Sequence, residues 1–597
     1  MAADPFAHLH DEGYEAAYSA ARAGWLSLVH MGGREVRSLC GDWRFTPDLF
    51  DEGLRQRWFA DPPTALEGWT VPRDADLWRA DPLPVPGCWT AAAGRPEWRH
   101  FEGAGWYART FDWQPVPARP RLVLRVGAAS HEARVFLNGA FVGSHRGGST
   151  PFCLELTALA TPGENRLLIQ VDNRRRPDRV PMHHFDWFNH GGLHREVGLL
   201  ELPSVFMRRF GVWQDEGGVG VEVVLSDPVD GVVDLHLPGG PAQLQVNGGR
   251  GRAVLPGSPA AWSPEAPILH DVAASFGTDR VTDRVGFRTL ATRGGDILLN
   301  GAPVFLRGLC VHEDDRNLGR VATEADMRRR AAHAKEAGCN ALRLAHYPHH
   351  EMMARIADEV GLLLWSEVPV YWAIDFANPD TYADAENQLL ELIERDRNRA
   401  SATLWGVGNE NADTDERYAF MSRLAEAARV ADPTRLVAAA CLINRAHFRV
   451  EDRLAAHLDV VGVNEYFGWY EPGFEGLDRL LANTETGAGL GKPLVISETG
   501  ADALAGRRDA SGNPALFTEE HQAAVYRGQI AVVSEHLGLV RGMFPWLLYD
   551  FRSERRQTPV QRGWNRKGLI AEDKATKKLA FGVLAEWYLF RTQSPPR

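Results

Sequence analysis

The chain has 597 residues. At roughly 150 residues per domain, this length predicts about four domains, or three if one of them is a barrel of about 250 residues. Lys and Arg number 66 and Asp and Glu 78, a formal net charge of −12, which argues against a surface for nucleic acid or for an anionic membrane. No apolar run approaches about 18 uncharged residues, which excludes a transmembrane helix. The chain starts without a basic segment followed by an apolar one, so we expect no secretory signal and a cytoplasmic protein.

Metal, disulfide and cofactor chemistry have no supporting pattern in the sequence. The six cysteines are scattered and form no Cys-x-x-Cys pair, so neither a zinc site nor a disulfide framework is predicted. Residues 346–350 read His-Tyr-Pro-His-His, but they lack a spaced third ligand and the His-Glu-x-x-His pattern. We therefore expect a protein that needs neither a metal ion nor a cofactor.

The N-terminal half of the chain has the pattern of β-strands. Short alternating segments are separated by turns, and Leu122, Leu124 and Val126 of one segment share a face. Asn138-Gly139 joins two segments and supplies the positive φ of a type I′ hairpin. A second, shorter β-rich stretch has the length of an immunoglobulin-like module. The pattern predicts an N-terminal extension and β-sandwich within residues 1–203 and an immunoglobulin-like sandwich within residues 204–290.

After Gly294, strand-like runs alternate with amphipathic helices. Thr323, for instance, can cap a helix that Gly338 ends, and a closing helix is predicted at Thr576–Phe590. This alternation predicts a (β/α)8 barrel over residues 291–597, a fold whose chemistry lies at the C-terminal ends of its strands. The predicted strands are 305–310, 340–346, 362–368, 403–410, 435–441, 459–466, 493–498 and 541–550.

Two glutamates stand at such strand ends. Glu410 ends the fourth predicted strand and Glu498 the seventh, and each follows an apolar run in which a carboxylate is costly unless it faces the mouth of the barrel. Glycoside cleavage needs one carboxylic acid to protonate the leaving oxygen and a second carboxylate below the sugar ring, about 5–5.5 Å away in retaining enzymes. The alternative is that each glutamate simply pairs with an arginine. Taken together, the two favour a glycoside hydrolase.

The motifs around these glutamates resemble the family 2 glycoside hydrolases, and among them the β-glucuronidases most closely. The resemblance covers roughly residues 39–595 and implies a jelly-roll fold for the first sandwich. It rests on Leu-Cys-Gly-Asp-Trp at 39–43, Trp-Tyr-Ala-Arg at 106–109, Gly-Gly-Ser-Thr-Pro-Phe at 147–152, Asp-Trp-Phe-Asn-His-Gly-Gly-Leu-His-Arg at 186–195, His-Glu-Asp at 312–314, Arg-Leu-Ala-His-Tyr-Pro at 343–348, Gly-Val-Gly-Asn-Glu at 406–410, Asn-Glu-Tyr-Phe-Gly-Trp-Tyr at 464–470, Ser-Glu-Thr-Gly-Ala-Asp-Ala-Leu-Ala-Gly at 497–506 and Asn-Arg-Lys-Gly at 565–568.

The resemblance also implies a role for each matching residue. Glu410 would be the acid/base and Glu498 the nucleophile of a double displacement that retains the anomeric configuration. A nearby arginine lowers the pKa of one carboxyl, and a drier environment raises the pKa of the other. We expect this difference to separate the nucleophile from the acid/base. The further implied roles are a hydrogen bond from Asn409 to the 2-hydroxyl, support of ionised Glu498 by Arg343 and Tyr466, contact of Asp186 with glycone hydroxyls, an apolar floor at Trp546, and a pocket lining that includes His312 and His346.

The predicted sugar depends on the C-terminal motif. Asn565 and Lys567 match the Asn-x-Lys element with which β-glucuronidases hold the carboxylate of the sugar, and Tyr470 matches a further carboxylate contact. Two positions depart from that pattern, because Gln561 stands where some relatives place an arginine and Glu465 where they often carry one. A similar element occurs in some β-galactosidases of the family.

We therefore predict a retaining exo-β-glycosidase for uronic acid glycosides, with a β-galactosidase or another neutral exo-glycosidase as the alternative. A third possibility, a non-catalytic carbohydrate-binding protein, would not need paired carboxylates. We also expect the protein to bind a carbohydrate substrate and to form a homo-oligomer. Within the first 38 residues, we expect a helix that packs at a subunit contact.

Overall fold

The structure is a computed structural model that describes residues 28–60, 77–486 and 490–593. Most of the segment for which a subunit-contact helix was predicted, residues 1–27, lies outside the described residues. The multidomain β plus α/β fold predicted from the sequence is confirmed, with two sandwiches followed by a barrel. The boundaries at residues 203 and 290 stay a prediction. In the part of the chain that the structure describes, no helix has the length and apolar character needed to span a membrane.

The N-terminal sandwich packs a four-stranded sheet against a six-stranded one, and tryptophans such as Trp43 and Trp89 fill the space between them. The hairpin predicted at Asn138-Gly139 is confirmed, because both residues have positive φ, 50° and 82°. In sheet order the strands are Arg37–Ser38, Val197–Leu202, Arg121–Val126 and Phe152–Glu155, then Pro82–Val85, Gly41–Asp48, Ala104–Trp113, Gly163–Asp172, Glu132–Leu137 and Ala140–Arg146, with 3-10 helices at Leu77–Arg79, Trp89–Ala91 and Pro96–Trp98.

The second sandwich has the predicted alternation. In the strand Gly231–Leu237, Val233, Leu235 and Leu237 are buried and the residues between them are exposed. They pack against Phe210 and Val221 of the facing sheet. In sheet order the strands are Met207–Asp215, Gly218–Leu225 and Arg250–Leu255, then Gly240–Val246, Gly231–Leu237, His270–Phe276 and Asp279–Val285, followed by a small sheet of Leu290–Arg293, Asp296–Leu299 and Ala302–Pro303.

A parallel barrel forms the rest of the chain. Its first strand has two short pieces: Leu306–Arg307 pairs with the eighth strand and Cys310–Val311 with the second, so the sheet closes on itself. Strands two to eight are Ala341–Leu344, Leu363–Glu367, Ala402–Asn409, Leu436–Cys441, Val460–Asn464, Leu494–Glu498 and Val540–Met543, and a two-stranded hairpin of Phe551–Arg552 and Trp564–Asn565 follows.

The helices lie between the barrel strands. Thr323 caps the first of them in a capping box with Asp326, as its sequence predicts. The α-helices are Glu324–Glu336, Glu351–Val360, Pro379–Asp396, Asp415–Ala431, Glu475–Thr486, Glu519–Glu535 and Leu579–Gln593, with a 3-10 helix at Arg453–His457.

Two predicted elements near the C-terminus have different bounds in the structure. Strand eight, predicted at 541–550, ends at Met543. Beyond it the backbone bonds to several segments in turn: Trp546 N–H donates to the Thr499 carbonyl at 2.7 Å and Leu548 N–H to the Cys310 carbonyl at 2.9 Å. The closing helix begins at Leu579 instead of Thr576, because the Thr576 amide and hydroxyl donate to Asp573 in a turn.

Candidate active site

The two strand-end glutamates lie at the same end of the barrel. Glu498 is the last residue of strand seven, and Glu410 directly follows strand four. Glu498 is buried, whereas Glu410 is half-buried. Because parallel strands present their C-terminal ends on one face, the two glutamates lie on the same face of the barrel, as the strand positions predict.

Both carboxylate oxygens of Glu498 accept a hydrogen bond from the protein. Arg343, from strand two, donates from Nη1 to Oε1 at 2.7 Å. The Tyr466 hydroxyl, which follows strand six, donates to Oε2 at 2.7 Å. His346 Nε2 lies 3.8 Å from Oε1. Two donors on opposite oxygens fix the plane of this carboxylate, which is the alignment that the resemblance implies for Arg343 and Tyr466.

Arg343 is shared with a carboxylate that the sequence analysis did not single out. Its Nε and Nη2 donate to the two oxygens of Glu367, each at 3.1 Å, and its guanidinium lies over the Trp365 ring at 5.1 Å. Glu367 is fully buried and also contacts His346 Nδ1 at 2.7 Å. Glu367 ends strand three within an apolar run, so the strand-end rule that selected Glu410 and Glu498 also points to it.

The electrostatics of the pair differ from the expectation. Burial raises the pKa of Glu498 to about 7, and the nearby Glu410 carboxylate adds to the rise, while Arg343 and Tyr466 act against it. We expected Arg343 to lower the pKa of Glu498 and a drier environment to raise the pKa of Glu410. The structure corrects this, because Glu498 itself is the buried group and Glu410 is the more exposed one.

Glu410 is held by an indole. The Trp372 Nε1–H donates to Glu410 Oε2 at 2.7 Å. Trp372 follows strand three and lies beside strand four, where its amide donates to the Asn409 carbonyl at 2.9 Å. The guanidinium of Arg555 lies over the Trp372 ring, 5.0 Å from its centroid. Sequence alone carries no signal for Trp372, because it sits in a loop between predicted elements.

Asn409 has one free end. Its amide oxygen accepts from Arg343 Nη2 at 2.7 Å and from Asn464 Nδ2 at 3.1 Å. Its amide nitrogen is buried and has no hydrogen-bond partner among the described residues. Because two donors fix the oxygen end, the nitrogen end is the part that can donate to a bound molecule.

Aromatic rings cluster around His346, next to Glu498. The Trp546 ring stacks on His346 with centroids 4.9 Å apart, and His312 meets Trp546 edge-on at 5.1 Å. His312 is also stacked on Phe551 at 4.2 Å, and its Nδ1 lies 3.1 Å from the Tyr347 hydroxyl. Burial lowers the pKa of both histidines well below the ordinary value, so they are neutral. In the described ranges, no group of three or more His, Cys, Asp or Glu side chains could hold a metal ion.

The predicted carboxylate-binding residues lie next to Tyr466. Lys567 Nζ donates to the Tyr470 hydroxyl at 3.1 Å and to Asp502 Oδ2 at 2.6 Å, and it lies 5.7 Å from the Tyr466 ring centroid. Asn565 is buried beside it, and the Asn565 side-chain oxygen accepts the Lys567 amide at 3.2 Å. Burial alone would lower the pKa of Lys567, but Asp502 raises it, so the side chain is charged.

Asp186 comes from the N-terminal sandwich and meets the barrel here. Its Oδ1 accepts from the Ser553 hydroxyl at 2.6 Å, and its Oδ2 accepts from Arg556 Nε at 3.1 Å and from Arg556 Nη2. The sequence places Asp186 at the site but does not indicate this ion pair. Direct contact of Asp186 with glycone hydroxyls stays a prediction.

Comparisons with known proteins extend over both the sandwich and the barrel. Residues 290–591 match the family model of the TIM barrel domain of glycosyl hydrolases family 2, and residues 36–203 match that of its sugar binding domain. A β-glucuronidase of Paenibacillus borealis is 29% identical over 601 residues, 93% of this chain and 97% of the relative. A family 2 β-galacturonidase from Eisenbergiella tayi, solved with galacturonate, is 27% identical with a TM-score of 0.80, covering 94% of this chain and 98% of that one. A β-glucuronidase from an uncultured Clostridium sp. is 26% identical with a TM-score of 0.82, covering 95% and 100%.

Proposed function

We propose that this chain, which belongs to family 2 of the glycosyl hydrolases, is a retaining exo-β-glycosidase that removes a terminal uronic acid, as a β-glucuronidase does. The observation that carries the choice of sugar is the position of Lys567. Its buried ammonium bonds to the Tyr470 hydroxyl and lies beside the Tyr466 ring, and Tyr466 in turn bonds to Glu498. A cation one ring away from the nucleophile suits a sugar whose far end carries a carboxylate.

In the first half of the reaction, the Glu498 carboxylate attacks the anomeric carbon while Glu410 gives its proton to the glycosidic oxygen. The bond from the anomeric carbon to that oxygen breaks, the aglycone leaves as an alcohol, and a glycosyl ester forms on Glu498. Arg343 and Tyr466 orient the attacking carboxylate through the two hydrogen bonds they donate to it. The Trp372 indole fixes the position of the Glu410 carboxyl.

In the second half, ionised Glu410 takes a proton from water, which attacks the anomeric carbon and releases Glu498. Two inversions at one carbon leave the configuration retained. The free amide nitrogen of Asn409 donates to the 2-hydroxyl, a contact that strengthens as charge develops on the ring.

The carboxylate of the sugar binds at the corner formed by Asn565, Lys567 and Tyr470. The Lys567 ammonium has three donors, of which Asp502 and Tyr470 take two, so one remains for the substrate. A neutral sugar would offer no anionic acceptor to this remaining N–H of the Lys567 ammonium. The geometry therefore supports a uronidase over a β-galactosidase, which remains the alternative.

A β-galacturonide is the second candidate substrate. The solved β-galacturonidase that this chain resembles acts on a sugar that differs from glucuronate only in the configuration at C4. Both sugars carry the same carboxylate, so Lys567 serves either one. The C4 hydroxyl is therefore the group that decides between them.

The test compares hydrolysis of 4-nitrophenyl β-D-glucuronide, β-D-galacturonide and β-D-galactoside. We expect kcat/KM to be highest for the glucuronide. Proton NMR should show that the β-anomer of the released sugar forms first. Glu498→Ala serves as the blank for contaminating activity. Preference for the galactoside would contradict the proposed sugar, and an α-anomer as the first product would contradict the retaining mechanism.

Two further expectations concern the state of the protein in the cell. Light scattering of the full chain and of a form that lacks the first 38 residues tests whether it is a homo-oligomer and whether that segment lies at the subunit contact. An unchanged mass would contradict a role for the segment. Cell fractionation tests the cytoplasmic location.

A further inference from the structure

A second cation stands beside Lys567. Arg556 lies in the hairpin that begins with Phe551–Arg552 and returns with Trp564–Asn565, and the Asn-x-Lys element starts where this hairpin ends. The Gly563 amide donates to the Arg556 carbonyl at 2.7 Å, and the Ser553 amide donates to the Gly563 carbonyl at 2.9 Å. These bonds fix the backbone from which the guanidinium extends.

The guanidinium itself is held in place before any ligand binds. Nε and Nη2 of Arg556 both donate to Asp186 Oδ2, and Nη1 donates to the Tyr470 hydroxyl at 3.3 Å. Asp186 is buried and is held on its other side by the Ser553 hydroxyl. Of the five N–H donors of the side chain, these contacts occupy three, which leaves two for a ligand.

Arg556 and Lys567 converge on one atom. Arg556 Nη1 and Lys567 Nζ lie 3.3 and 3.1 Å from the hydroxyl oxygen of Tyr470. With two charged donors on its oxygen, the Tyr470 hydroxyl still has its own proton to donate, and Tyr470 is 56% exposed. Two cations and one O–H donor at a single point form a site that a carboxylate fits.

The two arginine positions of related enzymes cannot supply this second cation here. Gln561 is buried, and its amide donates to Asp502 Oδ1 at 3.1 Å, behind Lys567. Glu465 is buried against the Gln529 amide at 3.0 Å. Arg562 is exposed and donates to the Pro559 carbonyl of its own turn at 2.8 Å.

We propose that Arg556, held by Asp186, is the second cation of the glycone carboxylate site and a determinant of specificity for uronides. The inference rests on the proposed function, since it assumes that the glycone carries a carboxylate. It assigns Asp186 to positioning the guanidinium. In the alternative, Arg556 only joins the sandwich to the barrel and does not touch the sugar.

The test measures competitive inhibition by D-glucuronate and by neutral D-glucuronamide, which has the same shape at C6 without the charge. For Arg556→Gln we expect the inhibition constant of glucuronate to rise about 10- to 100-fold, the range for loss of a hydrogen bond between charged groups. The constant for glucuronamide should change less than about threefold. Arg556→Lys should restore part of the affinity for glucuronate, and Arg562→Gln, in the same hairpin, should leave both constants unchanged.

The outcomes separate the two proposals. If the wild type hydrolyses neither uronide, the proposed function fails. If the wild type hydrolyses a uronide and Arg556→Gln weakens both inhibitors equally, or weakens neither, this inference fails and the proposed function stands. If Arg556→Gln does not fold, the comparison moves to Arg556→Lys, for which an unchanged ratio of the two inhibition constants would overturn the inference.

Discussion

Trp372 and Glu410 both adopt the left-handed backbone conformation, with φ of 53° and 52°, and the indole of one donates to the carboxylate of the other at 2.7 Å. Side chains larger than glycine seldom adopt this conformation, which costs about 1–3 kcal/mol per residue. The backbone around them compensates with well-formed bonds: the Trp372 amide donates to the Asn409 carbonyl and the Glu410 amide to the Ala440 carbonyl, each at 2.9 Å. The backbone conformation and the indole bond together orient the carboxyl group that is proposed as the acid.

Removing the indole donor should affect the acid step selectively. We expect Trp372→Phe to lower kcat/KM for an alkyl glucuronide, whose leaving group needs a proton, by about 10- to 100-fold. A 4-nitrophenyl glucuronide, whose leaving group needs little help, should lose less than about threefold. Trp213→Phe, in the second sandwich, is the matched control. Equal losses on the two substrates would show that Trp372 does not orient the acid.

The acid side of the pH profile should report Glu498. Its pKa is raised to about 7 by burial, and the nucleophile must be ionised, so kcat/KM should fall about tenfold per pH unit as the pH drops below about 7. The Tyr466 hydroxyl stabilises the ionised form. Tyr466→Phe should therefore move the midpoint to higher pH, while Tyr418→Phe, which removes a hydroxyl that contacts His457, should not. A midpoint that stays or moves down would contradict this assignment.

Glu465 should make stability depend on pH. Burial raises the pKa of this carboxyl to about 7 from an ordinary 4.5. When the pKa of a carboxyl is higher in the folded than in the unfolded state, its contribution to the free energy of unfolding is complete below the unfolded pKa. This contribution is lost as the pH rises from 4.5 to 7. Between pH 4.5 and 8, the free energy of unfolding of the wild type should fall by about 3 kcal/mol relative to that of Glu465→Gln. Urea unfolding of both proteins across this range tests it, and parallel curves would refute it.

The free amide of Asn409 should contribute more to hydrolysis when the sugar has a 2-hydroxyl. We expect Asn409→Ala to lower kcat/KM for a glucuronide about 100- to 1000-fold, the range for loss of a donor to developing charge. For the 2-deoxy substrate the loss should be less than about tenfold. Asn483→Ala, whose side chain donates to the exposed His447 carbonyl, is the control. A similar loss on both substrates would assign Asn409 to supporting Arg343 instead.

The sequence predicts the barrel and its central pair because both follow from local patterns. An apolar strand that ends in a carboxylate identifies Glu410 and Glu498, and the same pattern points to Glu367. The drier environment of Glu498 could not be foreseen, because its burial depends on neighbours from several strands. The early end of strand eight also had no local signal, since its apolar run continues while the backbone bonds change partner.

The ion pairs of the sugar site also cannot be predicted from the sequence. Asp186 and Arg556 are 370 positions apart, and Asp502 and Lys567 are 65 apart. No periodicity links such residues. The three arginines at 552, 555 and 556 are visible in the sequence, but only the fold shows which of them contacts Tyr470.

The bond between Asp186 and Arg556 also bears on how such a chain can change over generations. A recombination event that replaces the N-terminal sandwich removes the counter-ion of a guanidinium that the barrel retains. The new combination would carry an unmatched guanidinium at a half-buried position, which is costlier than at an exposed one. The two segments are therefore expected to be inherited together, and a chimaera would need both partners from one parent to keep its preference for acidic sugars.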